Sequence, residues 1–277
     1  MDCHRHSLRL LAWGFRQGQV SDPIPISSGP ESLSITAALR AAELSKLAYG
    51  KNTLPGGCVM IDLLPAADIQ CMVATEPGKT TFAFRGTDDI KGWMTDASIA
   101  FHDLGNGVKV HSGFWGTVDA VWPLLWPMVS DAVEAGSKIY TTGHSKGAAE
   151  SRLFTLRLAM KGVMVTESIT FGEPRSLNKG AADLYNSFNI PTYRIVNSND
   201  LVCRVPWRLG LYKHVGRSVF IDRWDQITFD ETWYAHLGSD VAEAIRQAFK
   251  FKNAATYDHL LALYIDALTK YNISVTQ

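Results

Sequence analysis

The chain has 277 residues, 46% of them hydrophobic and 19% charged, and its 27 Lys and Arg balance 27 Asp and Glu. A zero formal charge gives no electrostatic reason to expect nucleic acid or an acidic surface as partner, and the apolar fraction suffices for a sizeable core. Four scattered cysteines (Cys3, Cys58, Cys71 and Cys203) show no C-x-x-C and no histidine at metal-ligand spacing, so they are expected to be free thiols with no metal site.

Residues 1–33 contain the breakers Asp22-Pro23-Ile24-Pro25 and Ser27-Ser28-Gly29-Pro30 and are expected to form an irregular arm. The basic start is followed by an apolar run only from Leu10 to Phe15, too short for a Sec signal core, and no stretch nears the roughly 20 apolar residues that cross a bilayer. The expected location is cytoplasmic, or outside the cell by a route other than Sec. No Pro/Gly/Ser-rich linker divides the remainder, so residues 34–277 are expected to form one domain.

Ile35, Leu39, Ala42, Leu44 and Leu47 recur at near-helical spacing and predict a helix over 34–49. The β-prone runs Asp68–Thr75 and Lys79–Arg85, parted by Glu76-Pro77-Gly78, predict a hairpin. Its second strand stops at Arg85-Gly86-Thr87. Ile90, Trp93, Met94 and Ala97 then predict a short amphipathic helix, with Val108–His111 as a small strand after it. A helix is predicted over 113–135, kinked or broken near Trp122 because Pro123 and Pro127 fall inside it.

Ser137–Thr142 is β-prone and Ala148–Lys161 is rich in helix formers, so Gly143-His144-Ser145-Lys146-Gly147 joins a strand to a helix. The pentapeptide fits the G-x-S-x-G elbow, in which small residues let a cramped turn present a serine. A serine hydroxyl needs a base and oxyanion donors before it can act as a nucleophile, so these partners must be sought. Strand 168–172, helix 180–188, strand 192–196, a hairpin over 217–229 and helices near 236–251 and 258–270 complete the chain. This alternation implies a mostly parallel sheet covered on both faces, with working residues beyond the strand ends. Asp200, four residues after Val196, is placed for the acid of a triad; His214, His236 and His259 are the histidines that follow Ser145.

These motifs together resemble the class 3, fungal-type lipase family of α/β-hydrolases. Phe84-Arg85-Gly86-Thr87 with Trp93 and Asp96 resembles its strand end and lid, and Val110-His111-Ser112-Gly113-Phe114 its V-H-x-G-F. Gly143-His144-Ser145 is similar to its elbow and Phe171-Gly172-Glu173-Pro174-Arg175 to its F-G-x-P-R. Asn197–Pro206 resembles the aspartate segment and Tyr257-Asp258-His259-Leu260 the terminal histidine motif. The resemblance implies an α/β-hydrolase fold and a serine carboxylester hydrolase, a triacylglycerol lipase or lipase-like esterase without cofactor. A phospholipase, a feruloyl-type esterase or a silent binding module on the same fold are the alternatives. By position it implies Ser145 as nucleophile, His259 as base, Asp200 as its orienting acid, and the backbone N–H groups of Thr87 and Lys146 as oxyanion donors. It also implies a lid over 88–104 that uses Ile90, Trp93 and Met94 for transient contact with a lipid interface, and leaves His111, His144 and His214 as structural. Two residues depart from the family pattern: Lys146, where an uncharged residue is commoner, and Cys203, where proline is usual. The Lys146 side chain is expected either to pair with Glu150 one turn on, a surface contact worth tenths of a kcal/mol, or to face an anionic substrate group.

Overall fold

The computed structural model describes residues 33–50, 57–62, 70–87, 100–197, 200, 202–204, 211–222, 224–229 and 255–276, with backbone alone at 60–62, 204, 255–260 and 273–276. Helix α1, Ile35–Leu47, starts where the Ser34 hydroxyl accepts from the Ala37 N–H at 3.3 Å, as its apolar spacing led us to expect. The expected arm, the amphipathic segment with Ile90, Trp93 and Met94, and the expected helix near 236–251 lie outside the described residues.

Strands β1 (Cys58–Asp62), β2 (Gln70–Glu76) and β3 (Lys79–Phe84) form an antiparallel meander whose second turn is the anticipated Pro77-Gly78 hairpin. From β3 onward the sheet turns parallel through β6 (Lys138–His144), β7 (Val165–Phe171), β8 (Thr192–Asn197) and β9 (Arg217–Ile221). β10 (Ile227–Phe229) closes the edge antiparallel. The order among described strands is β1-β2-β3-β6-β7-β8-β9-β10. A separate ribbon pairs β4 (Phe101–Asp103) with β5 (Lys109–His111). β1 and β4 escaped the sequence reading; β9 and β10 form the expected hairpin, which β9 also joins to β8 in parallel.

Alternation along the strands divides the core. Phe82 and Phe84 face helix α2 (Ser112–Glu134) and helix α3 (Lys146–Met160), each with its ring centroid 5.2 Å from that of Phe154. Ala83, with Met72 and Ala74 on the neighbouring strand, faces α1 through Leu44 and Ala48. Farther along that second face, Ile169, Phe171, Ile195 and Val219 pack against α1 and the last helix through Leu261, Tyr264 and Leu268. Helix α4 (Lys179–Ser187) covers β7 and β8 on the α3 side, and the last helix, α5, spans Ala255–Thr276.

Of the kink or break expected near Trp122, the break is absent, because helix α2 runs from Ser112 to Glu134 with Pro123 and Pro127 inside. Both prolines are exposed and lie one turn apart on the outer face. The carbonyls that lose a donor to them, those of Asp119 and Pro123, are on that wet side, where water can replace the missing bonds.

The register matters most for the site. Phe84 pairs with Gly143, His144 with Phe171, and Phe171 with Ile195, so β6 and β7 end in one row, β3 one residue short of it, and β8 runs two residues farther. Thr87, Ser145, Gly172 and Asp200 all follow that row.

Candidate active site

Strand β6 hands the chain to α3 with only Ser145 between them. A reversal that abrupt puts Ser145 at φ 58° and ψ −128°, which costs a non-glycine residue about 1–3 kcal/mol and persists only where the surroundings over-determine it. They do so here. The Ser145 N–H donates to the Phe171 carbonyl at 2.9 Å, and the Ser145 carbonyl accepts from the Ala148 N–H at 2.9 Å. The side chain does not cap its own helix and is buried, with 1% of its surface exposed. The flanking glycines are required by contact, since a Cβ on Gly143 would strike the Gly147 carbonyl. One on Gly147 would strike the Phe84 carbonyl and lie 2.5 Å from the carbonyl carbon of Arg85.

The end of β3 closes on the elbow from the other side. A Cβ built on Gly86 would fall 3.1 Å from Ser145 Cβ, which brings the next residue, buried Thr87, to the edge of the serine's surroundings. Lys146 is the first residue of α3, so its N–H belongs to the unsatisfied first turn of a helix, where negative charge is favoured.

Asp200 sits just past β8. Its Oδ2 accepts from the Tyr264 hydroxyl at 2.8 Å and its Oδ1 from the Val202 N–H at 2.9 Å. The Tyr264 oxygen accepts in turn from the Asn197 N–H at 3.0 Å, so one side chain of α5 holds both the start and the acid of this loop. Burial, and then the Asp200 charge, push the Tyr264 phenol well above its usual pKa, which keeps it a donor to the carboxylate. A Cβ on Gly172 would lie 2.6 Å from Asp200 Oδ2. The strand end whose Phe171 carbonyl holds Ser145 is therefore also the wall against Asp200.

His259 lies in the first turns of α5, five residues before Tyr264 on the helix that reaches Asp200; its side chain lies outside the described residues. The lid residues Ile90, Trp93 and Met94 and the alternative histidine His236 also lie outside them. His214 is occupied elsewhere, with Nε2 2.9 Å from the Cys203 carbonyl. His111 caps α2, accepting from the Phe114 N–H through Nδ1 at 3.5 Å, and His144 Nδ1 is 2.9 Å from the Tyr49 hydroxyl. Tyr264 and Tyr49 are contributors that sequence reasoning missed. Tyr264 lies within α5 and Tyr49 in the turn just after α1, and only the polar tip of an aromatic residue hinted at more.

Two buried histidines predict acid lability. Burial pushes His144 down from 6.5 to about 3, and burial with the Arg194 charge pushes His214 well below 6.5. Both are neutral in the fold, so above 6.5 their contribution is fully present. Below it the unfolded chain binds protons that the folded chain refuses. Each histidine then removes up to about 1.4 kcal/mol per pH unit as acid is added. Urea unfolding at pH 7.5 and pH 5 should show a clearly lower midpoint in acid; equal midpoints would refute this.

The Lys146–Glu150 pair exists but is not a surface contact. Lys146 Nζ is 3.4 Å from Glu150 Oε1, and the side chains are only 9% and 1% exposed. The i,i+4 spacing read as a solvated face because charged residues usually are solvated; here the helix starts inside the sheet's edge and carries both charges into the core. Removing one partner of such a pair strands the other, at a cost of about 3–5 kcal/mol. Lys146→Met should therefore lower stability by about 3 kcal/mol, and denaturation curves of the variant beside the parent check this.

Residues 81–209 match the family model described as Lipase (class 3). Among curated relatives, a lipase of Rhizomucor miehei is 27% identical over 228 residues, covering 69% of this chain and 62% of its own length. The chain spans about three fifths of the length of the first curated relatives it matches. Lipase II from Rhizopus niveus superposes with a TM-score of 0.61 at 26% identity, over 68% of this chain and 80% of that one. A triacylglycerol lipase whose structure was described as having a serine protease triad at its catalytic centre superposes with a TM-score of 0.64 at 26% identity, over 76% and 89%.

Proposed function

We propose that this chain, which belongs to the class 3 lipase family of α/β-hydrolases, is a serine carboxylester hydrolase acting on lipid esters, a triacylglycerol lipase or lipase-like esterase. The observation that carries the reading is Ser145 held at φ 58° between the end of β3 and the acid-bearing loop after β8. A strained, buried serine whose hydroxyl is not used to cap its helix is built for a purpose other than folding.

In this reading Ser145 Oγ attacks the ester carbonyl while His259 takes its proton, and Asp200 orients and stabilises the imidazole. The oxyanion accepts from the N–H groups of Lys146 and Thr87; each such donor is worth about 2.7–4 kcal/mol of barrier. Collapse expels the alcohol with the proton from His259, and water, deprotonated by the same histidine, releases the acid from Ser145. Tyr264 and Val202 keep the Asp200 carboxylate fixed through these steps. Ile90, Trp93 and Met94, within the 88–104 lid, supply the apolar contact with a lipid interface.

The test is hydrolysis of p-nitrophenyl esters of graded chain length, together with a long-chain glyceride below and above its solubility limit. Turnover of the chromogenic esters supports the hydrolase chemistry, and a rise in glyceride rate at the emulsion supports the lid and the lipid substrate. Absence of hydrolysis on every ester would contradict the proposal.

A further inference from the structure

Arg152 is the largest fully buried side chain among the described residues, and nothing in the steps above uses it. It stands about two turns along α3 from Ser145, on the same face, and points into the sheet. All five of its N–H donors are engaged. Nε donates to Glu173 Oε1 at 3.2 Å and Nη2 to Glu173 Oε2 at 2.8 Å, a two-pronged contact. Nη2 also donates to Thr170 Oγ1 at 3.3 Å, and Nη1 to Ser168 Oγ at 3.1 Å and to the Tyr185 hydroxyl at 2.6 Å. Thr170 Oγ1 donates to Glu173 Oε2 at 2.5 Å, and the Tyr185 hydroxyl shares a proton with Thr192 Oγ1 at 2.9 Å. Burial works against the guanidinium's charge, but Glu173 and Tyr185 outweigh it and its pKa is raised. With no donor left over, this is a brace rather than a ligand site.

What the brace holds is the point. Phe171, Gly172 and Glu173 are consecutive: Phe171 accepts from the Ser145 N–H, Gly172 lies against Asp200 Oδ2, and Glu173 is clamped by Arg152. Arg152 belongs to the helix that begins at Ser145. The clamp therefore closes a loop from nucleophile through α3 to Glu173 and back through Gly172 and Phe171 to both Ser145 and Asp200.

We propose that Arg152 and Glu173 are positioning residues that set the separation of Ser145 and Asp200. The proposal rests on the hydrolase reading above. A buried ion pair of this kind adds little net stability over apolar residues of like volume, whereas a catalytic misplacement of 1 Å costs on the order of 100-fold in rate. Stability and catalysis can thus be separated. The double variant Arg152→Met/Glu173→Leu should fold, with the folded fraction read from circular dichroism during urea unfolding. Its kcat per folded molecule on p-nitrophenyl butyrate should fall on the order of 100-fold with KM little changed. A folded double variant with wild-type kcat would overturn the proposal. Should that variant not fold, Thr170→Val removes one donor to Glu173 at nearly constant volume; a severalfold loss in kcat at unchanged KM is expected, and wild-type kcat would overturn the proposal equally. If the wild-type chain itself hydrolyses no ester, the hydrolase reading fails and this one with it; active wild type beside equally active variants fails this one alone.

Discussion

Ser145→Ala is expected to lower kcat on a soluble p-nitrophenyl ester by about 10⁶-fold, to the level that binding and the oxyanion donors alone provide. The substitution removes the attacking oxygen and leaves the backbone of the elbow in place. The Ser145 hydroxyl makes no capping bond to α3, and the N–H and carbonyl bonds to Phe171 and Ala148 that fix the elbow are made by backbone atoms the alanine retains. Thermal unfolding of the variant should therefore match that of the parent within a few degrees, which separates loss of chemistry from loss of fold. Substantial activity in Ser145→Ala would show that the hydrolysis belongs to another group.

Asp200→Asn carries the next largest effect, a fall in kcat of about 10⁴-fold. The two Asp200 oxygens accept from the Tyr264 hydroxyl and the Val202 N–H, and an amide can satisfy only one such donor with its oxygen. Whichever way the asparagine turns, it no longer offers a full negative charge to a base that must become cationic, and it can present N–H where the imidazole needs an acceptor. The cost to the fold is about one hydrogen bond to a charged group, about 1.5–3 kcal/mol. A pH–rate profile with kcat, run beside a denaturation curve, distinguishes the two contributions; a variant within tenfold of the parent would remove Asp200 from the triad.

Much of this was legible in the sequence, and the parts that were not share a physical cause. The Ser145 elbow was readable because a strand-to-helix reversal without a loop forces glycine where backbones cross: Gly143 lies against Gly147, and Gly147 against Phe84 and Arg85. The place of Asp200 just past a strand end was readable too. The burial of Lys146, Glu150 and Arg152 was not, since charges on a helix ordinarily mark its wet face and only the three-dimensional partner reveals otherwise. The continuity of α2 through Pro123 and Pro127 was hidden for a similar reason: whether a proline breaks a helix depends on which side the orphaned carbonyl faces. Nothing in the local sequence pattern marks Tyr264, whose hydroxyl anchors the Asp200 loop.

The most direct measurement of the central claim is intact and peptide mass spectrometry after treating the folded protein with a fluorophosphonate. The account predicts one covalent adduct, on Ser145, that forms in parallel with loss of esterase activity and is absent in Ser145→Ala. Folded wild-type protein that acquires no adduct, or acquires it on a different residue, would contradict the account.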